Sequence, residues 1–377
     1  MEKLWSVLVH LGTNMWYEEG NSRGQHGDPA DTGKIWKSPA SPVMRFDEKT
    51  WEKYREELVR AGVNMVLFDL GEGLVYPSHP ELASQGAWTP ERMAREIETL
   101  KSLGVEAVPK LNLSATHDTW MGEYSRKVST PEYYQACREL IDDVCAIFHP
   151  RFFHIGFDEE VYENQKEYDY VVIRQYDQWW EDLRRISGYV EANGARAMMW
   201  SDFAREHTEE FIQKCPKSIV QCVWYYFTLF EGELPYANQI RIRPYKALAE
   251  AGFDVMASGS LAYEDQNLAC LARYCVDNVP HERLLGFLQT TWESVTPEWE
   301  ELLRRSASSV EEIRQELGGR VHGFLQEKKV PKPSGRGRFW YLLGMYRVMF
   351  GEGGMADFSA GGGARQNLLI FRGSVCR

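Results

Sequence analysis

Phe152-Phe153-His154-Ile155-Gly156-Phe157-Asp158-Glu159 runs from apolar residues into two adjacent carboxylates. The apolar part, Phe152–Phe157, predicts a buried strand with Asp158 and Glu159 at its C-terminal tip. Adjacent strand residues point to opposite faces, so the two acids can take different environments. Different environments separate their pKa values, and one can then donate a proton while the other stays ionised. A helix N-cap followed by a solvated acid would give the same pair. The chain on either side decides between these readings.

Outward from this tract, one unit repeats. Before it come strand candidates Leu4–His10, Asn64–Leu70 and Val105–Leu113. After it come Ala197–Trp200, Ile219–Trp224, Phe253–Ala257 and Leu285–Thr290. Helices fill the gaps. Asp47 opens one that buries Trp51, Tyr54 and Leu58 and stops at Gly62, where the chain can turn left-handed. Thr89-Pro90-Glu91, Thr130-Pro131-Glu132 and Thr296-Pro297-Glu298 each combine a cap, a proline and a first-turn acid. Met93, Ile97, Leu100 and Leu103 predict one buried stripe; Tyr176, Trp179, Leu183, Ile186 and Val190 predict another. Shorter helices are expected near Glu209–Lys214, Pro244–Ala251 and Asn267–Asn278. Eight strand-helix units in series imply a closed parallel (β/α)8 TIM barrel over residues 1–320. A doubly wound open sheet is the alternative, but no GxGxxG turn follows the first strand. Residues 321–377 read as an apolar helix, Phe339–Phe350, and a flexible glycine-rich tail.

Composition narrows the function. A net charge of −12 over 377 residues argues against nucleic acid and anionic membrane surfaces. No apolar run is long enough to span a bilayer. The seven cysteines include no CxxC pair and read as reduced structural thiols. With no signal-like start, the expected location is cytoplasmic, although a trimmed leader would leave the same start.

In such a barrel, chemistry sits on the loops after the strands. There the sequence places His117, His154, Trp200, Asp202, Trp224, Tyr225, Tyr263, Trp292 and Glu293, besides Asp158 and Glu159. Acids and amides bind hydroxyls and indoles stack on pyranose faces, so the set suits a carbohydrate. Simpler roles compete: His154 as a satisfied core histidine, Trp200 and Trp224 as filling for the barrel's top layer, Glu264 as a solvated acid. His10, His117, His154 and Asp158 could meet at a metal, but no HxH or HExxH spacing supports one, and no cofactor is expected. The long segment from Thr13 to Phe46, with Trp16, Tyr17, Arg23, His26 and Trp36, reads as a lid or pocket wall.

The tract His154-Ile155-Gly156-Phe157-Asp158-Glu159 resembles the His-x-Gly-Gly-Asp-Glu motif of glycoside hydrolase family 20, the β-N-acetylhexosaminidases. Tyr76–Leu82, Gly104–Pro109, Met199–Asp202, Val220–Trp224 and Leu285–Glu293 resemble the family's other barrel segments in order. The resemblance implies substrate-assisted retaining hydrolysis of an N-acetylated amino sugar glycoside. It implies Glu159 as acid and base, and Asp158 as holder of the 2-acetamido group. Trp200, Trp224 and Trp292 would wall the pocket, and Tyr225 or Tyr263 would bind the acetamido oxygen. Asp202 and Glu293 would bind hydroxyls, with His117 behind the acidic pair. Three departures bear on specificity: no arginine follows the first strand, Ser114-Ala115-Thr116-His117 replaces Pro-Gly-His, and Phe157 replaces a glycine. Two other readings stand beside it. One is a retaining glycosidase with Glu293 or Asp202 as nucleophile; the other is a sugar-binding barrel without turnover.

Overall fold

The computed structural model describes residues 3–16, 40–165 and 171–321. Tyr17, Arg23, His26 and Trp36 of the expected lid, and the expected C-terminal helix and tail, lie outside those residues. Eight strands close into a parallel barrel in sequence order: β1 (Leu4–His10), β2 (Met65–Asp69), β3 (Glu106–Lys110), β4 (Phe152–His154), β5 (Arg196–Trp200), β6 (Val220–Trp224), β7 (Val255–Ser260) and β8 (Leu284–Thr290). Helices α1 (Glu48–Ala61), α2 (Pro90–Ser102), α3 (Pro131–Phe148), α4 (Tyr162–Gln165), α5 (Tyr176–Ala192), α6 (Thr208–Lys214), α7 (Tyr236–Glu250), α8 (Asn267–Asn278) and α9 (Glu300–Val321) return the chain between strands and after the last.

Three of the four cap signals act as their chemistry requires; the fourth, Thr296, makes no cap hydrogen bond, and Pro297–Trp299 forms a short 3-10 turn ahead of α9. The side chains of Asp47, Thr89 and Thr130 accept from the amides of Thr50, Arg92 and Tyr133, each satisfying an orphan donor of a first turn. Gly62 turns left-handed at φ 77° and ends α1. The helices bury their apolar stripes against the outside of the sheet. Leu8, Met65, Leu67, Val108, Met198, Cys222, Met256 and Leu288 fill the barrel itself.

Four expectations need correction. β4 stops at His154, not Phe157, because the next residues leave the extended region. Leu103 is 45% exposed, since α2 ends one residue earlier. Tyr176 is 86% exposed at the first turn of α5, outside its buried stripe. Pro244 lies inside α7, which begins eight residues before it. The missing proline N–H costs that helix a hydrogen bond. Burial of Ile240, Ile242, Tyr245 and Leu248 offsets the loss.

Above the apolar filling lies a polar layer that forms the base of the strand ends. Lys110 Nζ donates to Asp69 Oδ2 at 2.6 Å, and both side chains are buried. His10 Nδ1 lies 3.4 Å from the same oxygen. Burial alone would raise the Asp69 pKa, but Lys110 and His10 outweigh it and hold the carboxyl down at about 2. Burial, helped by the Lys110 charge, lowers His154 to about 3, so it is neutral at pH 7.

Lys110→Met strands the Asp69 charge and is expected to cost about 3–5 kcal/mol, measured by urea unfolding at pH 7. Asp69 has a depressed folded pKa, so its contribution is present above its unfolded value and fades as pH falls towards 2. The penalty of the variant should therefore shrink in acid. An equal penalty at pH 3 and pH 7 would contradict the ion-pair account.

Candidate active site

The acidic pair is presented by a kinked loop rather than by a strand tip. Gly156, Phe157 and Glu159 all have left-handed backbones, at φ 78°, 69° and 52°. For non-glycine residues this costs roughly 1–2 kcal/mol each, so surrounding contacts must hold it. A Cβ at Gly156 would lie 2.2 Å from Asn112 Oδ1, so the close approach also requires glycine there. The backbone is pinned on both sides: Leu113 N donates to Ile155 O at 3.1 Å, and Trp200 N to Gly156 O at 2.9 Å. The hydroxyls of Ser114 and Thr116 both donate to Asp158 O. Phe157 turns inward against Trp179, with the Arg174 guanidinium 4.8 Å from its ring centre.

This path separates the two carboxyls by environment. The Asp158 side chain is 9% exposed and the Glu159 side chain 39%. His117 bridges them, with Nδ1 3.1 Å from Asp158 Oδ2 and Nε2 3.7 Å from Glu159 Oε2. Burial pushes the Asp158 pKa up, but the charge and hydrogen bond of His117, with Lys110 behind, bring it below the ordinary carboxylate value. Asp158 is therefore an anion at neutral pH. Its other oxygen, Oδ1, is buried and has no hydrogen-bond partner among the described residues.

Both acids open into a cleft of about 130 Å³. Trp16, Trp200, Trp224, Tyr226, Tyr263 and Trp292 form its aromatic wall, with Met15, Asn112 and His117 completing the lining. Trp200 and Trp292 lie 5.9 Å apart by ring centres, and Trp224 and Tyr226 stack at 5.0 Å.

Asp158, Glu159, His117, Trp200, Trp224, Tyr263 and Trp292 thus converge on one cleft. Four other residues named from the sequence do not line it. His154 is fully buried beneath the floor, where Nδ1 accepts from Gly156 N at 3.1 Å and the ring packs on Trp200. Tyr225 points away into the protein and donates to Leu229 O at 2.9 Å. Tyr226 stands in its place, as the period of two from Trp224 would have indicated. Glu293 is half-buried outside the lining. Asp202 sits behind the general-acid candidate: its Oδ2 accepts from Glu159 N at 2.9 Å, and Oδ1 lies 3.4 Å from Trp224 Nε1. In this position it steadies the Glu159 amide and Trp224 rather than lining the cleft. Trp16, expected in a lid or pocket wall, lines the cleft, and Met15 and Asn112 complete the lining. Among the described residues no group of three His, Cys, Asp or Glu side chains could hold a metal ion.

Comparison with known proteins gives the site its context. Residues 76–260 match the model of the glycosyl hydrolase family 20 catalytic domain. Over this stretch, which holds β3 to β7, the chain resembles family 20. The match takes in the acidic pair, His117, Trp200, Trp224 and Tyr226. The domain is 19% identical over 177 residues to a lacto-N-biosidase of Bifidobacterium bifidum, covering 40% of this chain and 16% of that protein. Among solved structures it resembles a chitobiase of Flavobacterium johnsoniae (TM-score 0.53, 18% identity, 71% of this chain and 46% of that one). It also resembles a β-N-acetylhexosaminidase of Streptomyces coelicolor (TM-score 0.53, 12% identity, 82% and 64%). At these identities the structural likeness establishes the barrel fold. The chain spans less than half the length of the curated relative and of the chitobiase.

Asp202 gives the site a titration of its own. Burial pushes its pKa up, Arg205 opposes this and Asp158 adds to it, and the result is about 6. Above that pH its carboxylate is a charged acceptor for the Glu159 amide; below it the charge is lost. The turnover rate is expected to fall as pH drops through about 6. Asp202→Asn should remove that fall and lower the plateau. An acid limb of the kcat profile left unmoved by the substitution would contradict the assignment.

Proposed function

We propose that the barrel hydrolyses β-N-acetylhexosaminides with retention, using the substrate's own acetamide as nucleophile. One observation carries this: a buried anionic Asp158, fixed by His117, keeps an unpartnered oxygen beside the cleft, one residue from the more exposed Glu159. In the first step the acetamido oxygen attacks C1 while Glu159 gives its proton to the glycosidic oxygen. The C1–O bond breaks, and the leaving sugar departs as an alcohol. The positive oxazolinium ring keeps its N–H, which Asp158 Oδ1 accepts, and the aspartate charge opposes the new cation. In the second step the Glu159 carboxylate takes a proton from water and the water oxygen adds to C1. The ring oxygen leaves and the acetamide is restored. Two inversions at C1 give net retention.

A carboxylate nucleophile has less support. Glu293 is outside the cleft lining, and Asp202 is engaged by the Glu159 amide and Trp224. A panel of aryl β-glycosides with and without a 2-acetamido group tests the proposal. Turnover confined to the acetamido sugars is expected. Equal or faster release from plain glucosides or galactosides would overturn it. Binding of the acetamido sugars without turnover would favour a non-catalytic role.

A further inference from the structure

One short turn grips Trp224 at two points. After β5 the chain turns at Asp202–Ala204, where Arg205 N donates to Asp202 O at 2.9 Å. The turn brings the side chains of Asp202 and Arg205 to the same indole. Asp202 Oδ1 lies 3.4 Å from Trp224 Nε1, and the Arg205 guanidinium carbon lies 3.6 Å from the Trp224 ring centre. Arg205 Nη2 also donates to Trp224 O at 3.1 Å. A guanidinium over an indole is attracted by the ring's negative face. Arg243, on α7, donates to Arg205 O at 2.6 Å and ties the turn to that helix.

Asp202 serves a second group. Its Oδ2 accepts from Glu159 N at 2.9 Å, and Glu159 has the left-handed backbone, at φ 52°, that contacts must hold. Arg205 therefore connects to the general-acid candidate through Asp202 and to the cleft wall through Trp224. It does not line the cleft itself.

The charges around Asp202 show what Arg205 adds. Burial disfavours a charge there, and Asp158 and Glu159, from the loop after β4, disfavour it further. Arg205 is the strongest influence in the other direction, ahead of the Glu159 amide. The groups that act on Arg205 are Asp202, Arg241 of α7, Glu159, and Tyr226 of the loop after β6.

We infer that Arg205 is a positioning residue for the reaction: packed on Trp224 and set beside Asp202 by one turn, it maintains both the anchor of the Glu159 amide and the indole wall of the cleft. This rests on the hexosaminidase reading above.

Two substitutions separate charge from bulk. Arg205→Met keeps a long side chain against the indole and removes the charge; Arg205→Lys keeps the charge and loses the planar fork. The rate kcat is followed against pH on an aryl N-acetylhexosaminide. Without its main opposing charge, the Asp202 carboxyl takes up a proton more readily, so the acid limb in Arg205→Met should move to higher pH. At pH 6 the unaltered protein is expected to keep about half its plateau, and Arg205→Met less than that. Arg205→Lys should restore the original limb. An acid limb unmoved in Arg205→Met, or moved equally in Arg205→Lys, overturns the inference even if both variants lose activity, because a purely structural role predicts loss without a shift. Carbon-13 NMR of labelled aspartate carboxyls, with Asp202 assigned by its absence in Asp202→Asn, follows the same titration without turnover. A midpoint raised by Arg205→Met supports the role, and an unmoved midpoint rejects it. If that midpoint moves as expected while the unaltered protein is inactive towards aryl N-acetylhexosaminides, the result counts against the hexosaminidase reading alone.

Discussion

Glu159→Gln is expected to lower kcat on an N-acetylhexosaminide by about 10²–10⁴-fold, the usual contribution of a positioned acid–base group. The substitution removes the proton that the leaving oxygen needs and the base that water needs. It should leave the fold intact. The side chain is 39% exposed, and the loop is held through backbone groups: Asp158 O by Ser114 and Thr116, Glu159 N by Asp202, and Glu159 O by Asn164. Substrates with a good aryl leaving group need less acid assistance. Their first step should be affected less than that of a disaccharide. Measuring kcat for both classes separates lost proton transfer from lost structure. A uniform small loss across leaving groups would remove Glu159 from the acid role.

Asp158→Asn is expected to cost about 10²–10³ in kcat, comparable to deleting one preorganised electrostatic contact. The amide keeps the shape of the carboxyl but loses its charge. A positive oxazolinium is then formed without the aspartate charge at its N–H. His117 also loses its charged partner at 3.1 Å, which weakens the bridge to Glu159. The defect should fall on acetamido substrates and appear in kcat more than in KM, because the interaction strengthens as charge develops. An unchanged kcat with a raised KM would make Asp158 a ground-state contact only.

Most of the fold was legible because its signals are local. Threonine caps, prolines at first turns and Gly62 mark helix ends whatever the tertiary context. Eight alternating units leave few topologies besides a closed barrel. The corrections come where tertiary contacts override local preference. Pro244 reads as a helix start, yet burial of its neighbours extends α7 on the N-terminal side. Phe157 has a side chain that suits a strand, but its backbone is left-handed where Gly156 packs on Asn112 and Phe157 on Arg174.

The same bend explains how far the site could be read. Asp158 and Glu159 were identifiable as a pair, but their difference arises from depth along a kinked loop, not from the two faces of a strand. Tyr226 could have been preferred to Tyr225 by alternation alone. The position of Asp202 behind Glu159 could not, because it depends on a backbone amide 43 residues away that leaves no mark in composition or spacing. Arg174, which steadies Phe157 and pairs with Glu160, was hidden for the same reason.

The central claim is that the sugar's acetamide, charge-matched by Asp158, attacks its own anomeric carbon. Aryl glycosides carrying N-acetyl, N-fluoroacetyl, N-difluoroacetyl and N-trifluoroacetyl groups test it most directly. Each fluorine drains electron density from the carbonyl oxygen, so kcat should fall steadily along the series. A rate indifferent to fluorination would show that some other group attacks, and the account would be wrong.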